Sequence, residues 1–543
     1  MLKKILISIV GFLALCIAYF AGLYAKHSTD STSQVLGVLE LVKDHYVDEI
    51  NIDSIAQKIT PIVLSQLDPH SSYLSAEDAR AEQEALEGSF EGIGVQFNRL
   101  KDTVIVSRVL EGGGSARAGV LAGDRILRAD SVSLIGKDLS NDKVMKTLKG
   151  AGGTVVNLHI LRRGEPMTLK VVRGPIPVSS IDASYMIGDK LYVRINRWGA
   201  ITHQEFLDAY IKQKDKVKGV IIDLRDNSGG YLDTAVELSK EFLPKNKLIV
   251  YTEGKRYPRE DYKTKRDGAL LDIPLVVLIN EFSASASEIF AGAMQDHDRA
   301  TIIGRRSFGK GLVQRSFQLR DGANIRLTVA RYYTPSGRSI QKKYTNGSEG
   351  ASAYAQELEE RFTHGELYNA DSVTIADSTN YYTSGGRIVH GGGGVTPDIF
   401  IARDSTGFNS YYMRVVASGM LQRYAFDYAD NNRDKLQSFR SADALHQYLS
   451  GQGRRILYDF SAYAQRNGIE PRSRLLEQSA TLIGEQLNAL IADNASLDQG
   501  IYYKFINLRS AELSKALELL NKGTWRPAPT KAKNSEAGTK TKS

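Results

Sequence analysis

Cysteine is almost absent from this chain of 543 residues. The single cysteine, Cys16, lies inside an apolar run near the N-terminus, so the rest of the chain carries no thiol. No disulfide can form within that remainder, and its folded units must be stabilised by their hydrophobic cores. Cys16 also follows Leu15, whereas a lipid-anchoring cysteine would need a small residue before it.

A concentrated block of positive charge is also missing. The chain carries 70 Lys and Arg against 62 Asp and Glu, which gives a formal net charge of +8. These charges are spread along the chain, and no basic segment is interleaved with aromatic residues. This distribution argues against nucleic acid as a partner.

Beyond the N-terminus the sequence has no apolar run long enough to cross a bilayer. Lys3 and Lys4 precede the one long run, from Ile5 to Ala25, and residues 1–27 are predicted as a membrane anchor or signal segment. A cleaved signal peptide is the alternative. Because no convincing small-x-small site ends the run, an uncleaved anchor with an exported remainder is favoured.

Common catalytic and metal-binding motifs are absent too. There is no G-x-S-x-G elbow, no H-E-x-x-H helix, no Walker loop and no paired-cysteine spacing. Two S-x-x-K matches occur, at Ser307 to Lys310 and at Ser339 to Lys342. Both lack the S-D-N and K-T-G companions of penicillin-recognising enzymes and are interpreted as chance matches.

What is present is a sequence of regions with different periodicities. Apolar residues three and four apart predict a helical region over 28–87. Short strands and glycine turns predict a β-rich module over 88–174. Strands and helices then alternate over 175–403, and the strands are apolar nearly throughout, which is typical of a sheet covered on both faces.

Three further segments depart from this alternation. Residues 343–385 are polar and are interpreted as an insertion in the α/β region. Apolar stripes at helical spacing predict a helical C-terminal domain over 404–523. Residues 524–543 are basic and polar, and are predicted to be disordered.

Three loops of small residues in the α/β region are the candidates for chemistry. They are "DLRDNSGG" (Asp223–Gly230), "SASASE" (Ser283–Glu288) and "SFGKGLVQ" (Ser307–Gln314). In the second loop, serines alternate with alanines where a strand passes into a helix. A serine there can cap the helix, or it can be a nucleophile beside backbone oxyanion donors, and the stretch alone leaves both interpretations open.

Lys310 of the third loop lies between two glycines and ahead of an apolar segment. If Lys310 to Gln318 forms a strand, then Lys310, Leu312 and Gln314 share one face. A lysine in a turn is usually exposed, but one that points inward is buried, and burial favours its neutral, basic form.

Seven motifs in order carry a resemblance to a known family. They are "LDPHSSYLS", the "GIGV" module, "DLRDNSGG", "FSASASEIFAGAMQD", "RRSFGKGLVQ", "YYTPSGRSIQ" and "GGGGVTPDI", between about residues 36 and 402. Together they resemble the C-terminal processing (tail-specific) serine peptidases. The resemblance implies an α/β protease core with a crotonase/Clp-protease-like sheet, an inserted β-rich PDZ domain, an N-terminal helical segment and a helical C-terminal extension.

The resemblance also implies roles for individual residues. It places the nucleophile at Ser285, the general base at Lys310 and the lysine-orienting residue at Gln314. The implied oxyanion donors are the N–H groups of Ala286 and of Gly230, with Gly229 as the alternative register. The implied PDZ loop for a peptide carboxylate consists of Gly92, Ile93, Gly94 and Val95.

The family further implies a reaction without metal or cofactor, and protein or peptide substrates with free C-termini. With the apolar N-terminus it implies a bacterial cell-envelope location, anchored in the inner membrane with the catalytic part on the periplasmic side. An adaptor or a second copy of the chain is a further possible partner.

The sequence allows two rivals to a Ser/Lys peptidase. In one, His297 with Asp296 or Asp298 completes a triad with Ser285; a continuous helix would place His297 about 18 Å away, too far to act as the base. In the other, the chain is an inactive, membrane-tethered PDZ scaffold. His70, in the "LDPHSSYLS" turn, is interpreted as a structural residue.

Overall fold

The computed structural model describes residues 31–100, 102–495, 498 and 500–528. The predicted membrane anchor and most of the predicted disordered tail therefore lie outside the described residues. No helix within the described ranges combines the length and the apolar character needed to cross a membrane.

Helices occur along the whole described chain. They are α1 (Ser31–His45), α2 (Ile52–Leu64), α3 (Ala76–Glu87), α4 (Gly114–Arg117), α5 (Asn141–Leu148), α6 (Thr202–Ile211), α7 (Leu232–Lys240), α8 (Ala286–Asp296), α9 (Ser348–Thr363), α10 (Ser410–Ala417), α11 (Met420–Asn431), α12 (Arg433–Gln437), α13 (Ala442–Gly451), α14 (Gly453–Arg466), α15 (Ser473–Ala495), α16 (Ile501–Ile506) and α17 (Ala511–Lys522).

Among the described residues, strands are confined to positions 72–400. They are β1 (Ser72–Leu74), β2 (Ser89–Gly92), β3 (Val95–Leu100), β4 (Thr103–Val109), β5 (Arg125–Ala129), β6 (Val132–Ser133), β7 (Val155–Arg162), β8 (Glu165–Val172), β9 (Gly174–Pro177), β10 (Ile181–Ile187), β11 (Lys190–Ile195), β12 (Gly219–Asp223), β13 (Leu248–Gly254), β14 (Tyr257–Lys263), β15 (Leu275–Ile279), β16 (Thr301–Gly304), β17 (Leu312–Gln318), β18 (Asn324–Tyr333), β19 (Asp377–Tyr382), β20 (Ile388–Gly391) and β21 (Ile399–Phe400).

The α/β core is built on a six-stranded sheet in the order β10-β11-β12-β15-β16-β21. β11, β12, β15, β16 and β21 run parallel, and β10 pairs antiparallel with β11. Every residue of β11, β12, β15 and β16 is buried, as predicted for a sheet covered on both faces. Helices α7 and α8 cover one face.

The other face is covered by α17, which the sequence had assigned to the helical C-terminal domain. Its apolar residues, among them Leu513, Ala516 and Leu520, pack on the sheet. Trp525, assigned to the disordered tail, joins this cluster, and its carbonyl accepts a hydrogen bond from Thr301 Oγ1 at 2.7 Å. Helix α17 and Trp525 thus belong to the α/β core.

A second, five-stranded sheet lies beside the first. Its order is β1-β18-β13-β14, and β17 also pairs with β18. β1 comes from the region predicted to be helical, and it pairs antiparallel with β18 so that Ser72 lies opposite Arg326. The "LDPHSSYLS" turn is thereby brought against the α/β core.

The β-rich module contains the sheet β3-β4-β5-β7-β8, with β6 on β5, and helix α5 over a separate apolar core. β2 pairs with β9, and Gly92 lies opposite Gly174. The module therefore begins and ends at one two-stranded ribbon, as expected for an inserted domain. Helices α10 to α16 pack around another core of their own.

Candidate active site

Three loops converge at one edge of the six-stranded sheet. β12, β15 and β16 are parallel neighbours, so the loops after them leave from the same edge. We call them the glycine loop (residues 223–230), the serine loop (residues 280–288) and the lysine loop (residues 305–311). These are the loops that the sequence singled out, and they border a cleft of about 1150 Å³.

The three serines of the serine loop have different environments. Ser283 and Ser287 are fully buried, whereas Ser285 is half-buried and lines the cleft. Ser283 Oγ donates to the carbonyl of Leu224 at 2.8 Å. Ser287 Oγ donates to the carbonyl of Asn227 at 3.0 Å and accepts the indole N–H of Trp198 at 2.9 Å. Ser283 and Ser287 therefore support the loops.

Ser285 also begins the helix. It precedes the first residue of α8, and its carbonyl accepts the N–H groups of Glu288 and Ile289 at 2.8 and 3.0 Å. Its φ of 57° lies in the left-handed region, which non-glycine residues rarely adopt. The strained turn is therefore held by its surroundings, as is common at functional sites.

Glu288, which the sequence analysis missed, joins the serine and lysine loops. Its buried carboxyl accepts the N–H groups of Ser285 (2.8 Å), Gly309 (2.8 Å) and Lys310 (2.9 Å), and the hydroxyl of Ser307. Burial raises the pKa of Glu288 to about 7, against these hydrogen bonds. The S-x-x-E spacing from Ser285 to Glu288 is a capping-box pattern and was the available signal.

Lys310 lies in the lysine loop and lines the same cleft as Ser285. Burial, and next the positive charge of Arg326, lower the pKa of Lys310. Within the described part of the chain its Nζ has no hydrogen-bond or ion-pair partner. The burial, the nearby positive charge and the lack of an acidic partner among the described residues all favour the neutral amine of Lys310. The hydroxyl of Tyr332 lies 3.0 Å from the carbonyl oxygen of Ser285 and also contacts that of Lys310.

The two candidate glycines differ in their backbone hydrogen bonds. The N–H of Gly229 donates to Asn227 Oδ1 at 2.9 Å, so it is already used. Among the described residues, no acceptor is assigned to the N–H of Gly230 or of Ala286. A Cβ atom on Gly230 would lie 2.2 Å from the carbonyl oxygen of Trp198, so no side chain fits. The geometry favours Gly230 over Gly229 as an oxyanion donor.

Gln314 lines the cleft, but its amide is held by another group. Its Nε2 donates to Thr328 Oγ1 at 3.2 Å, and that hydroxyl donates to Asp68 Oδ1 at 2.8 Å. β17 begins at Leu312 rather than at Lys310, and a register shift follows Val313. The orienting contact between Gln314 and Lys310 therefore stays a prediction.

The polar insertion forms hydrogen bonds with the backbone of the lysine loop. Arg361 of α9 donates to the carbonyls of Ser307 and Arg306 at 3.1 and 2.6 Å. Lys342 pairs with Glu357 at 2.9 Å. Ser307 and Lys342, from the two S-x-x-K matches, are thus both engaged in contacts with α9.

Neither His297 nor His70 contacts Ser285. α8 is continuous, and His297 follows its far end, with Nε2 at 2.6 Å from the carbonyl of Leu248. His70 Nε2 lies 3.0 Å from Tyr354 Oη. Burial and the charge of Lys310 lower the pKa of His70 to about 4. His70 is thus a neutral neighbour of the lysine loop.

The loop from Gly92 to Val95 of the β-rich module has a defined backbone orientation. The carbonyls of Ile93 and Gly94 accept the N–H groups of Ser115 and Leu110 at 2.8 and 3.0 Å. In the described ranges their own N–H groups have no assigned acceptor. A loop of this kind can bind a terminal carboxylate.

No group of three or more His, Cys, Asp or Glu side chains within the described residues is arranged to hold a metal ion. The expectation of a reaction without metal or cofactor stays a prediction.

Three separate parts of the chain match protein families. Residues 189–348 match peptidase family S41, residues 92–172 match the PDZ domain, and residues 411–495 match a family of unknown function. The helical C-terminal domain therefore has relatives of its own.

Several curated proteins are similar to the chain over half to about two thirds of its length. The carboxy-terminal-processing protease of Bartonella bacilliformis is 36% identical over 359 residues, which cover 63% of this chain and 81% of that protein. A probable CtpA-like serine protease of Staphylococcus haemolyticus is 35% identical over 280 residues, covering 51% of this chain and 55% of the relative.

Solved structures give matches of the same kind. The photosystem II D1 C-terminal processing protease is 26% identical, covers 57% of this chain and 90% of that chain, and has a TM-score of 0.31. The PDZ domain of a carboxy-terminal protease from Vibrio cholerae, solved with a peptide, is 28% identical over 17% of this chain and 99% of that domain, with a TM-score of 0.16.

The family matches and the curated relatives confirm the predicted family, the C-terminal processing serine peptidases, and the predicted inserted PDZ domain. With a relative of 36% identity matched over most of its length, and with family matches to both domains, this chain belongs to the carboxy-terminal-processing serine peptidases of family S41.

Proposed function

We propose that the chain is an endopeptidase that cleaves proteins near unstructured, apolar C-termini, with Ser285 as nucleophile and Lys310 as general base. The observation that carries the proposal is the shared cleft. Ser285 and a half-buried Lys310, whose Nζ has no partner among the described residues, both line it, and Glu288 fixes the backbone N–H groups of both residues.

The chemistry follows from these groups. Neutral Lys310 takes the proton of the Ser285 hydroxyl as its Oγ bonds to the carbonyl carbon of the scissile peptide. The N–H groups of Gly230 and Ala286 stabilise the resulting oxyanion, and the loss of one such donor typically costs about 3 kcal/mol. Lys310 then protonates the leaving amine, and water hydrolyses the acyl-enzyme.

The PDZ domain is the proposed site of substrate selection. The N–H groups of Ile93 and Gly94 would bind the substrate's terminal carboxylate, and the name of the Bartonella bacilliformis relative refers to processing at the carboxyl terminus. The alternative, an inactive scaffold, is not favoured, because Ser285, Lys310 and Gln314 are all present and all line one cleft.

Carboxylate recognition predicts a difference between two otherwise identical peptides. The peptide with a free C-terminus should be hydrolysed faster than its C-terminal amide, because the amide lacks the charge that the PDZ loop would bind. Hydrolysis is measured by mass spectrometry at equal peptide concentrations.

A binding measurement separates recognition from chemistry. The Ser285→Ala variant should bind the free acid more tightly than the amide in fluorescence anisotropy. Equal hydrolysis rates and equal affinities for the two peptides would contradict carboxylate recognition and would leave the assignment of the Ser/Lys pair untouched.

We further propose that the chain is anchored in the inner membrane of a bacterial cell envelope, with its catalytic part on the periplasmic side. Lys3 and Lys4 support this orientation, since positive residues stay on the cytoplasmic side. Protease added to spheroplasts should therefore digest the chain while a cytoplasmic control protein stays intact. Protection of the full chain until the cells are lysed would rule out this orientation.

A further inference from the structure

Glu512, in the first turn of α17, lies between two arginines of the candidate active-site loops. Its Oε1 is 3.0 Å from Arg305 Nη1 and its Oε2 is 3.2 Å from Arg225 Nη1. All three side chains are largely buried, with 9 to 13% of their surface exposed. A single carboxylate from the end of the chain thus bridges two guanidinium groups that lie far apart in sequence.

Arg225 belongs to the glycine loop, five residues before Gly230. Its Nε and Nη2 donate to both oxygens of Asp223, at 2.9 and 2.6 Å. The loop is also tied to the serine loop, because the N–H of Asp226 donates to Asn280 Oδ1 at 2.9 Å. A shift of Arg225 would therefore move the glycine loop and with it the direction of the Gly230 N–H.

Arg305 connects the other two loops. It begins the lysine loop, five residues before Lys310, and its Nε donates to Glu281 Oε2 of the serine loop at 2.7 Å. Together, the contacts of Glu512 reach all three loops: the glycine loop through Arg225, the lysine loop through Arg305, and the serine loop through Arg305 and Glu281.

The element that carries Glu512 is itself fixed. α17 is capped by Ser510, whose Oγ accepts the N–H of Leu513 at 3.2 Å, and its apolar face packs on the sheet opposite to α7 and α8. Ser510 Oγ also accepts a hydrogen bond from Arg225 Nη1 at 3.0 Å. The carboxylate is thus held rigidly below the loops.

We propose that Glu512 is a positioning residue for catalysis, which sets the relative placement of the three active-site loops through Arg225 and Arg305. The inference rests on the proposed Ser/Lys peptidase function. Misplacement of catalytic groups by about 1 Å can cost a hundredfold in rate. Greater freedom of the three loops relative to one another should therefore lower turnover far more than peptide binding.

The test compares Glu512→Gln with Glu518→Gln in the full chain. Glu518 is on the same helix but is paired with Lys515 and Lys522 at the surface. Glu512→Gln should lower kcat at least about tenfold with little change in KM, because it weakens the contacts that join Arg225 to Arg305. The ion pairs of Arg225 with Asp223 and of Arg305 with Glu281 should remain, so each loop should stay folded. The Glu518→Gln variant should match the unchanged chain.

A second readout separates positioning from simple stabilisation. The rate at which a fluorophosphonate labels Ser285, measured well below the thermal midpoint, should fall along with kcat in Glu512→Gln. Glu512→Asp keeps the charge but shortens the reach, and it should be intermediate. If Glu512→Gln does not fold, the Glu512→Asp comparison carries the test, with a loss of kcat expected at an unchanged circular dichroism spectrum.

Three results would overturn the inference. The first is a kcat and a labelling rate within twofold of the unchanged chain in folded Glu512 variants. The second is a lower thermal midpoint as the sole effect of the Glu512 substitutions. The third is a loss of kcat in Glu518→Gln equal to that in Glu512→Gln. Failure of the proposed function is distinguishable, because the unchanged chain would then neither hydrolyse peptide nor label at Ser285.

Discussion

The Ser285→Ala variant is expected to show no measurable peptide hydrolysis and to keep its fold. The hydroxyl that forms the acyl-enzyme is lost, and loss of a nucleophile in comparable serine peptidases lowers kcat by about a millionfold. The fold should persist because Ser285 holds its helix through main-chain groups and the Glu288 carboxyl, which the substitution leaves in place. Hydrolysis is followed with a free-acid peptide, and folding by circular dichroism.

Ser283→Ala and Ser287→Ala are the matched controls for this experiment. Both should remain active, since both hydroxyls are buried in hydrogen bonds to the loops. Ser287→Ala should reduce the free energy of unfolding by about 1 to 3 kcal/mol, because it leaves the buried indole N–H of Trp198 without an acceptor. An inactive Ser283→Ala beside an active Ser285→Ala would contradict the assignment of Ser285 as the nucleophile.

Lys310 should be equally indispensable, and its replacement by arginine should be as harmful as its replacement by alanine. A guanidinium group stays protonated at every accessible pH, so Lys310→Arg keeps the charge and loses the base. Both variants should lose at least about a thousandfold in kcat/KM. Lys343→Arg, at an exposed neighbour of the buried Lys342, is the control and should be active.

The pH dependence gives the second half of this prediction. Since only the neutral amine can accept the serine proton, kcat/KM should rise with pH through the lowered pKa of Lys310. Arg326→Gln removes a positive charge that lowers that pKa, so the pKa should rise and the acid limb of the profile should move to higher pH. A limb that stays in place, or moves to lower pH, would contradict Lys310 as the base.

Much of the site was predictable because its residues lie in short, contiguous motifs. The strands GVIID, LVVLI and TIIG are apolar nearly throughout, which indicated a buried parallel sheet, and the loops after them carry Gly230, Ser285 and Lys310. Parallel neighbours then bring these loops to one edge without further information.

The remainder depends on contacts that have no local signature. The pairing of Ser72 with Arg326 joins segments that are distant in sequence, and no periodicity in the helical region indicates it. The amphipathic pattern of α17 predicts a buried face without naming the surface that buries it. The same holds for Arg361, a charged residue of the polar insertion whose hydrogen bonds to the lysine loop follow only from the tertiary structure.

The packing of α17 on the sheet has a consequence for biosynthesis. A nascent chain that has reached residue 500 already contains Ser285, Lys310 and Gly230, but one face of its sheet is bare and Glu512 is not yet made. The apolar sheet residues on that face can be buried only after α17 has been made, as is typical of long-range contacts that close late in folding. We therefore expect proteolytic activity to begin only after α17 has been made and has packed on the sheet.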